Sequence, residues 1–181
     1  YKSVTIKSKM DSPDEIINRG EVHIVEPELD MIVSNVVKEG YLRASVIAES
    51  ADVYLIVVPT PFKGDHQPDI SFVESATKTI IPLLKEGDLF IIESTSPIGT
   101  TEKMQELIFS NRPELDGKIY IAYCPERVLP GNVMYELVNN DRVIGGVDNI
   151  STEKAVSFYS KYVKGKLHKT NARTAEMCKL V

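Results

Sequence analysis

Three short runs of unbroken apolar side chains limit what this chain can fold into. They are residues 53–58 (VYLIVV), 89–92 (LFII) and 119–123 (IYIAY). A strand with one wet face alternates apolar and polar residues; a run apolar on both faces belongs to a strand covered on both sides. Weaker strand candidates are residues 4–6, 43–47, 142–144 and 166–168. Helical patterns lie between the runs. Ser12-Pro13-Asp14-Glu15 and Ser71-Phe72-Val73-Glu74 both read as capping boxes, the first with proline at the opening helical position. Pro82 falls within the second helix and should kink or end it. Further helices are expected over 100–109, 151–163 and from 171 onward, and Lys38-Glu39-Gly40 closes an earlier one. Strand alternating with helix predicts an α/β fold with a parallel sheet.

The totals agree with one domain of that kind and exclude some functions. The 181 residues are 43% hydrophobic and 26% charged, which allows a real core and argues against disorder. A net charge of −5 argues against a nucleic-acid surface. The longest apolar run is far too short to span a bilayer, and the first ten residues lack the apolar stretch of a secretory signal. Cys124 and Cys178 form neither a disulfide framework nor a metal spacing, so a reduced, cytoplasmic protein is expected.

In open α/β sheets, ligands gather beyond the carboxyl ends of the strands. Three junctions fall there: 59–66 (PTPFKGDH), 93–101 (ESTSPIGTT) and 124–127 (CPER). The second enters a helix, whose free N–H groups would suit a phosphate or a carboxamide; plain helix capping explains the same residues. Glu126 is either a solvated turn carboxylate paired with Arg127 or a base or water-orienting group set in a cleft. The cysteines read as small buried residues rather than nucleophiles. His66, near Asp65 and Asp69, reads as part of a loop rather than a metal ligand.

Seven stretches then carry a resemblance: INRGEVHIVEP (17–27), GYLRAS (40–45), VPTPFKGDHQPD (58–69), ESTSPIGTTEKM (93–104), AYCPERVLPGNVM (122–134), NDRVIGG (140–146) and TNARTAEMCKL (170–180). In this order they resemble the UDP-glucose/GDP-mannose dehydrogenase family, in the wording of its branch acting on UDP-N-acetyl-D-mannosamine. The resemblance implies a Rossmann-like, doubly wound parallel sheet lacking the first strand and its glycine-rich turn. It implies an NAD-binding domain over 1–168 and the start of a connecting, dimerising helix over 169–181. The implied reaction is NAD-dependent oxidation of the sugar C6 alcohol to a uronic acid by two hydride transfers, through a cysteine thioester that water releases.

By the same resemblance Thr95 helps hold the water, Glu126 acts as base or orients it, and Lys179 stabilises the oxyanion. Val58, Pro59, Thr60 and Thr95 line the NAD site, and Glu126, Arg127, Val128, Leu129 and Lys179 meet the sugar nucleotide. The full-length protein is expected to be a homo-oligomer without nucleic-acid or membrane partners. The family's Gly-x-Gly-x-x-Gly turn and Gly-Gly-His-Cys segment do not occur in these 181 residues. The position expected to carry the ribose-binding acidic residue holds Lys7 or Ser8. The chain alone is therefore expected not to complete the oxidation. Another UDP-hexose as substrate, or a remnant that binds without turnover, are the alternatives.

Overall fold

A computed structural model describes residues 4–6, 13–22, 24, 26–64 and 67–180. Ser12, Lys7, Ser8, Asp65 and His66 lie outside the described residues, and with them the first capping box, the ribose position and the possible metal ligand. The chain divides into two compact units, residues 1–49 with 128–137, and residues 50–127 with 138–181.

The larger unit is built on five strands: β3 (Val53–Ile56), β6 (Leu89–Ile92), β7 (Tyr120–Tyr123), β8 (Arg142–Gly146) and β9 (Leu167–Asn171), ordered β3-β6-β7-β8-β9. β6 is buried along its whole length, as its LFII sequence requires. Its side chains alternate between two cores. Phe90 and Ile92 pack with Tyr54, Ile56, Val73, Met104, Ile108 and Ile121. On the other face Leu89 and Ile91 pack with Ala122, Cys124, Ile144, Ala155 and Tyr159. The first core is closed by α3 (Ser71–Ile80) and α4 (Thr100–Asn111), the second by α6 (Asn149–Tyr159). Between β3 and β6 the two-residue strands β4 (Phe62–Lys63) and β5 (Gln67–Pro68) pair antiparallel, and helix α7 (Ala172–Leu180) follows β9 directly.

Two local expectations are corrected. β7 and β8 run antiparallel, with Ala122 opposite Gly146 and Tyr123 opposite Gly145. The chain between them passes through residues 128–137 of the other unit instead of making a helical crossover on the sheet, so nothing forces a parallel return. Ser71 is the first residue of α3 rather than its cap; Ile70 is the cap, and the carboxylate of Asp69 accepts the Ser71 N–H at 2.8 Å. The Ser71 hydroxyl, then the Lys63 ammonium 2.9 Å away, then that N–H bond hold the Asp69 carboxyl down at about 2. Pro82, expected to kink or end the helix, ends it: α3 stops at Ile80 and tightens into a 3₁₀ turn over Ile81–Leu83.

The smaller unit pairs β1 (Val4–Ile6) in parallel with β2 (Leu42–Ala44), which starts one residue earlier and ends three residues sooner than the 43–47 expected from sequence, and carries α1 (Pro13–Asn18) and α2 (Leu29–Lys38). The Asn18 amide bonds both backbone groups of Ala44. Gly40, at φ 76°, closes α2 as its position after Lys38-Glu39 predicts. Most of α5 (Val133–Asn139) also lies here, beneath a turn in which Glu26 accepts the Gly131 N–H. Among the described residues no helix is long and apolar enough to cross a membrane.

Candidate functional site

The carboxyl ends of β3, β6 and β7 are stitched to one another by polar groups that the three junctions themselves supply. The Ser94 hydroxyl accepts the Val58 N–H at 2.7 Å and lies 2.9 Å from the Val58 carbonyl, to which it donates. Tyr123 Oη donates to the Ser94 carbonyl at 3.2 Å, and the Cys124 N–H to Ile92 at 3.0 Å. The serine of the Ser-Thr-x-Pro turn is thus spent on structure, buried to 5% exposure. Thr95 is exposed and Thr60 half-buried beside an exposed Pro59. Hydroxyls and apolar surface, not charge, face outward at the ends of β3 and β6.

The turn then enters α4 through Gly99, at φ 93°. The free N–H groups expected there are taken. The Glu176 carboxylate, wholly buried, accepts from Gly99 N (2.6 Å), Thr101 N (2.7 Å) and Thr101 Oγ1 (2.6 Å). A negative charge satisfies the positive end of the helix from inside the protein, so this turn is not an anion site.

Lys179, one turn along α7 from Glu176, reaches the last junction: its Nζ donates to the Glu126 carbonyl oxygen at 2.5 Å. Sequence placed Glu126 and Lys179 fifty-three residues apart; the fold brings them together. Arg127 is exposed, with its carbonyl 3.4 Å from the Asn140 amide. Val128 and Leu129 belong to the smaller unit, where the Leu129 N–H donates to Glu136 at 2.9 Å.

Within electrostatic reach of Glu126 lies a largely buried polar cluster that sequence reasoning missed. The Glu93 carboxylate accepts from Tyr159 Oη and sits 3.7 Å from Arg142 Nη1. Arg142 lies over the Tyr159 ring, 5.1 Å from its centroid, and 4.0 Å from Cys124 Sγ. Burial raises the Glu93 carboxyl above its ordinary range and the nearby Glu126 charge adds to the rise, against the Tyr159 bond and the Arg142 guanidinium. Burial likewise pushes the Cys124 thiol up to about 11, which makes it inert, as its small-residue reading anticipates. Cys178 is half-buried and free. The available signal for the cluster was an acidic residue placed directly at the end of an all-apolar strand.

A raised carboxyl holds its proton more tightly in the folded state than in the unfolded one. Stability from Glu93 is therefore complete below about pH 4.3 and declines as pH rises through the higher folded value. Glu93→Gln keeps the acceptor for Tyr159 and removes the titration. Its melting temperature is expected to fall less steeply than that of the unchanged chain between acid and neutral pH; parallel curves from calorimetry would refute this reading of Glu93.

The profile of the UDP-glucose/GDP-mannose dehydrogenase family, NAD binding domain, matches residues 9–163. The chain belongs to that family. Among curated proteins it is 55% identical over 174 residues to a UDP-N-acetyl-D-mannosamine dehydrogenase of Yersinia pestis and 53% identical to one of Escherichia coli K12. It is 50% identical to an NDP-N-acetyl-D-galactosaminuronic acid dehydrogenase of Ralstonia nicotianae. Each alignment takes in 92% of this chain and 41% of the relative, so the chain spans well under half the length of these family members. The solved UDP-N-acetyl-mannosamine dehydrogenase of Staphylococcus aureus superposes with a TM-score of 0.93 at 38% identity, over 98% of this chain and 44% of that one. The family's Rossmann-type fold and NAD-binding assignment therefore extend to this chain.

Proposed function

We propose that this chain is the NAD-binding part of a nucleotide-sugar 6-dehydrogenase that oxidises UDP-N-acetyl-D-mannosamine to the uronate. The observation that carries the reading is Lys179 at the Glu126 carbonyl: a cation and a carboxylate-bearing turn meet at the carboxyl edge of the sheet. NAD, when bound, supplies the hydride acceptor. Val58, Pro59, Thr60 and Thr95 would hold its nicotinamide end, since apolar surface and hydroxyls suit an uncharged carboxamide. The same residues do not suit a diphosphate, because the α4 N–H groups already serve Glu176.

Glu126 would accept a proton from the attacking water, or orient it, with Thr95 as a further hydroxyl partner. The Lys179 ammonium would stabilise the oxyanion formed as water adds, and such stabilisation is commonly the largest single term in acyl transfer. Arg127, Val128 and Leu129 would meet the sugar nucleotide. The nucleophilic thiol would come from the remainder of the polypeptide. In this reading residues 1–168 form the cofactor domain, residues 169–181 begin the connecting helix, and the full-length protein is a cytoplasmic homo-oligomer.

The test is turnover by the full-length polypeptide. With UDP-N-acetyl-D-mannosamine, two NADH per sugar are expected. The Ralstonia relative, at 50% identity, makes the galactosamine-type sugar nucleotide the competitor to run beside it. A higher kcat/KM for the competitor would move the substrate assignment, and no NADH from either would overturn the reading.

A further inference from the structure

The side of α7 packed against β7, β8 and α4 reads Ala172, Ala175, Glu176, Lys179, spaced as one face of a helix. The first three are buried and the last half-buried. Such a stripe is normally apolar, and buried charges cost free energy unless each is fully partnered. A Glu and a Lys three residues apart on a helix would ordinarily meet each other. Here they are aimed at different elements: Glu176 at the first turn of α4, Lys179 at the turn after β7.

We propose that Glu176 is the positioning residue for Lys179. Three hydrogen bonds to one carboxylate fix both oxygens, and so fix the rotation of α7 about its axis and its position along it. Lys179 lies about 4.5 Å further along the same face, and is thereby delivered to the Glu126 carbonyl. Arg173 supports the clasp from outside, donating to Glu102 of α4 at 2.8 Å. The cap does not serve α4 alone: α4 is entered through Gly99 with no side-chain cap of its own, and a carboxylate seventy-five residues away from Thr101 ties two elements together. This inference deepens the proposed reaction and rests on it for the role of Lys179.

The first readout does not use the reaction. The acylation rate of each lysine in the native protein is followed by peptide mass, with the exposed Lys164 as internal reference. Glu176→Ala is expected to raise the rate at Lys179 about fivefold or more while Lys164 is unchanged, as a released helix end opens locally. Glu176→Gln retains one acceptor but sets its amide against the Gly99 N–H, and should fall between. Thr101→Val, which removes only the hydroxyl donor, should give a smaller rise and keeps the test open if Glu176→Ala fails to fold. Unchanged Lys179 reactivity in the folded variants overturns the proposal.

The second readout is the kinetics of the full-length polypeptide. Glu176→Gln is expected to lower kcat about tenfold, some 1.4 kcal/mol, with the KM for NAD little altered. A loss confined to KM would also overturn the proposal. If the unchanged protein shows no turnover while Lys179 reactivity responds as expected, the reaction reading fails and the positioning role stands.

Discussion

Lys179→Ala in the full-length enzyme is expected to lower kcat by about 10²- to 10³-fold, the usual cost of removing one oxyanion-stabilising group. The reasons are local. Lys179 is half-buried, and its Nζ donates to the Glu126 carbonyl, so its charge is held at the turn rather than dispersed in solvent. Removing the side chain leaves the Glu176 clasp intact, so the melting temperature should change little. The loss should fall on kcat more than on the KM for either substrate, because the interaction strengthens only as negative charge develops. Lys179→Arg tests geometry against charge: it keeps the cation, but a planar fork cannot occupy the position of a point-like ammonium, and partial activity is expected. Stopped-flow and steady-state NADH absorbance measure both. A kcat within threefold of the unchanged enzyme would sink the assignment of Lys179.

The parts of this molecule that were legible in its sequence are those set by local pattern. VYLIVV, LFII and IYIAY became β3, β6 and β7 because strands covered on both faces can expose neither side. β3 departs from that pattern: Leu55 stays 41% exposed and Val57, just past the strand, 64%. An apolar residue at the end strand of a sheet reads in sequence like one at its centre, since the neighbours that bury it are elsewhere in the chain.

What could not be read depends on partners distant in sequence. Ser71 is the local exception: it has the spacing of a cap, yet the oxygen that bonds its N–H comes from Asp69, two residues before it. The α4 N-terminus has the composition of an anion site, and only the approach of α7 shows that Glu176 fills it. Glu93, Arg142 and Tyr159 come from three different elements, and no spacing in one element announces such a cluster. Resemblance carried Glu126 and Lys179 to one site without saying how they meet. The structure supplies the contact: the lysine bonds the backbone carbonyl of Glu126, not its side chain.

Gly145→Ala is expected to destabilise the larger unit by about 3 kcal/mol, the upper part of the usual range for overpacking. A Cβ at Gly145 would lie 2.1 Å from the Asn171 carbonyl oxygen, 2.4 Å from its carbon and 2.9 Å from the Ala172 nitrogen. All three are backbone atoms, so no side-chain rotation relieves the clash; the junction between β9 and α7 must move. Gly64 is the matched control, since a methyl there meets nothing within 4 Å among the described residues. For a domain of this size the Gly145 variant should melt about 10 °C lower, and the Gly64 variant close to the unchanged chain. The displaced junction is the root of α7, so the strain passes to the helix that carries Glu176 and Lys179. Lys179 in Gly145→Ala should therefore become more reactive to acylation even below the melting transition. A normal melting temperature together with a protected Lys179 would show that the β9–α7 junction yields without cost and does not help to place the lysine.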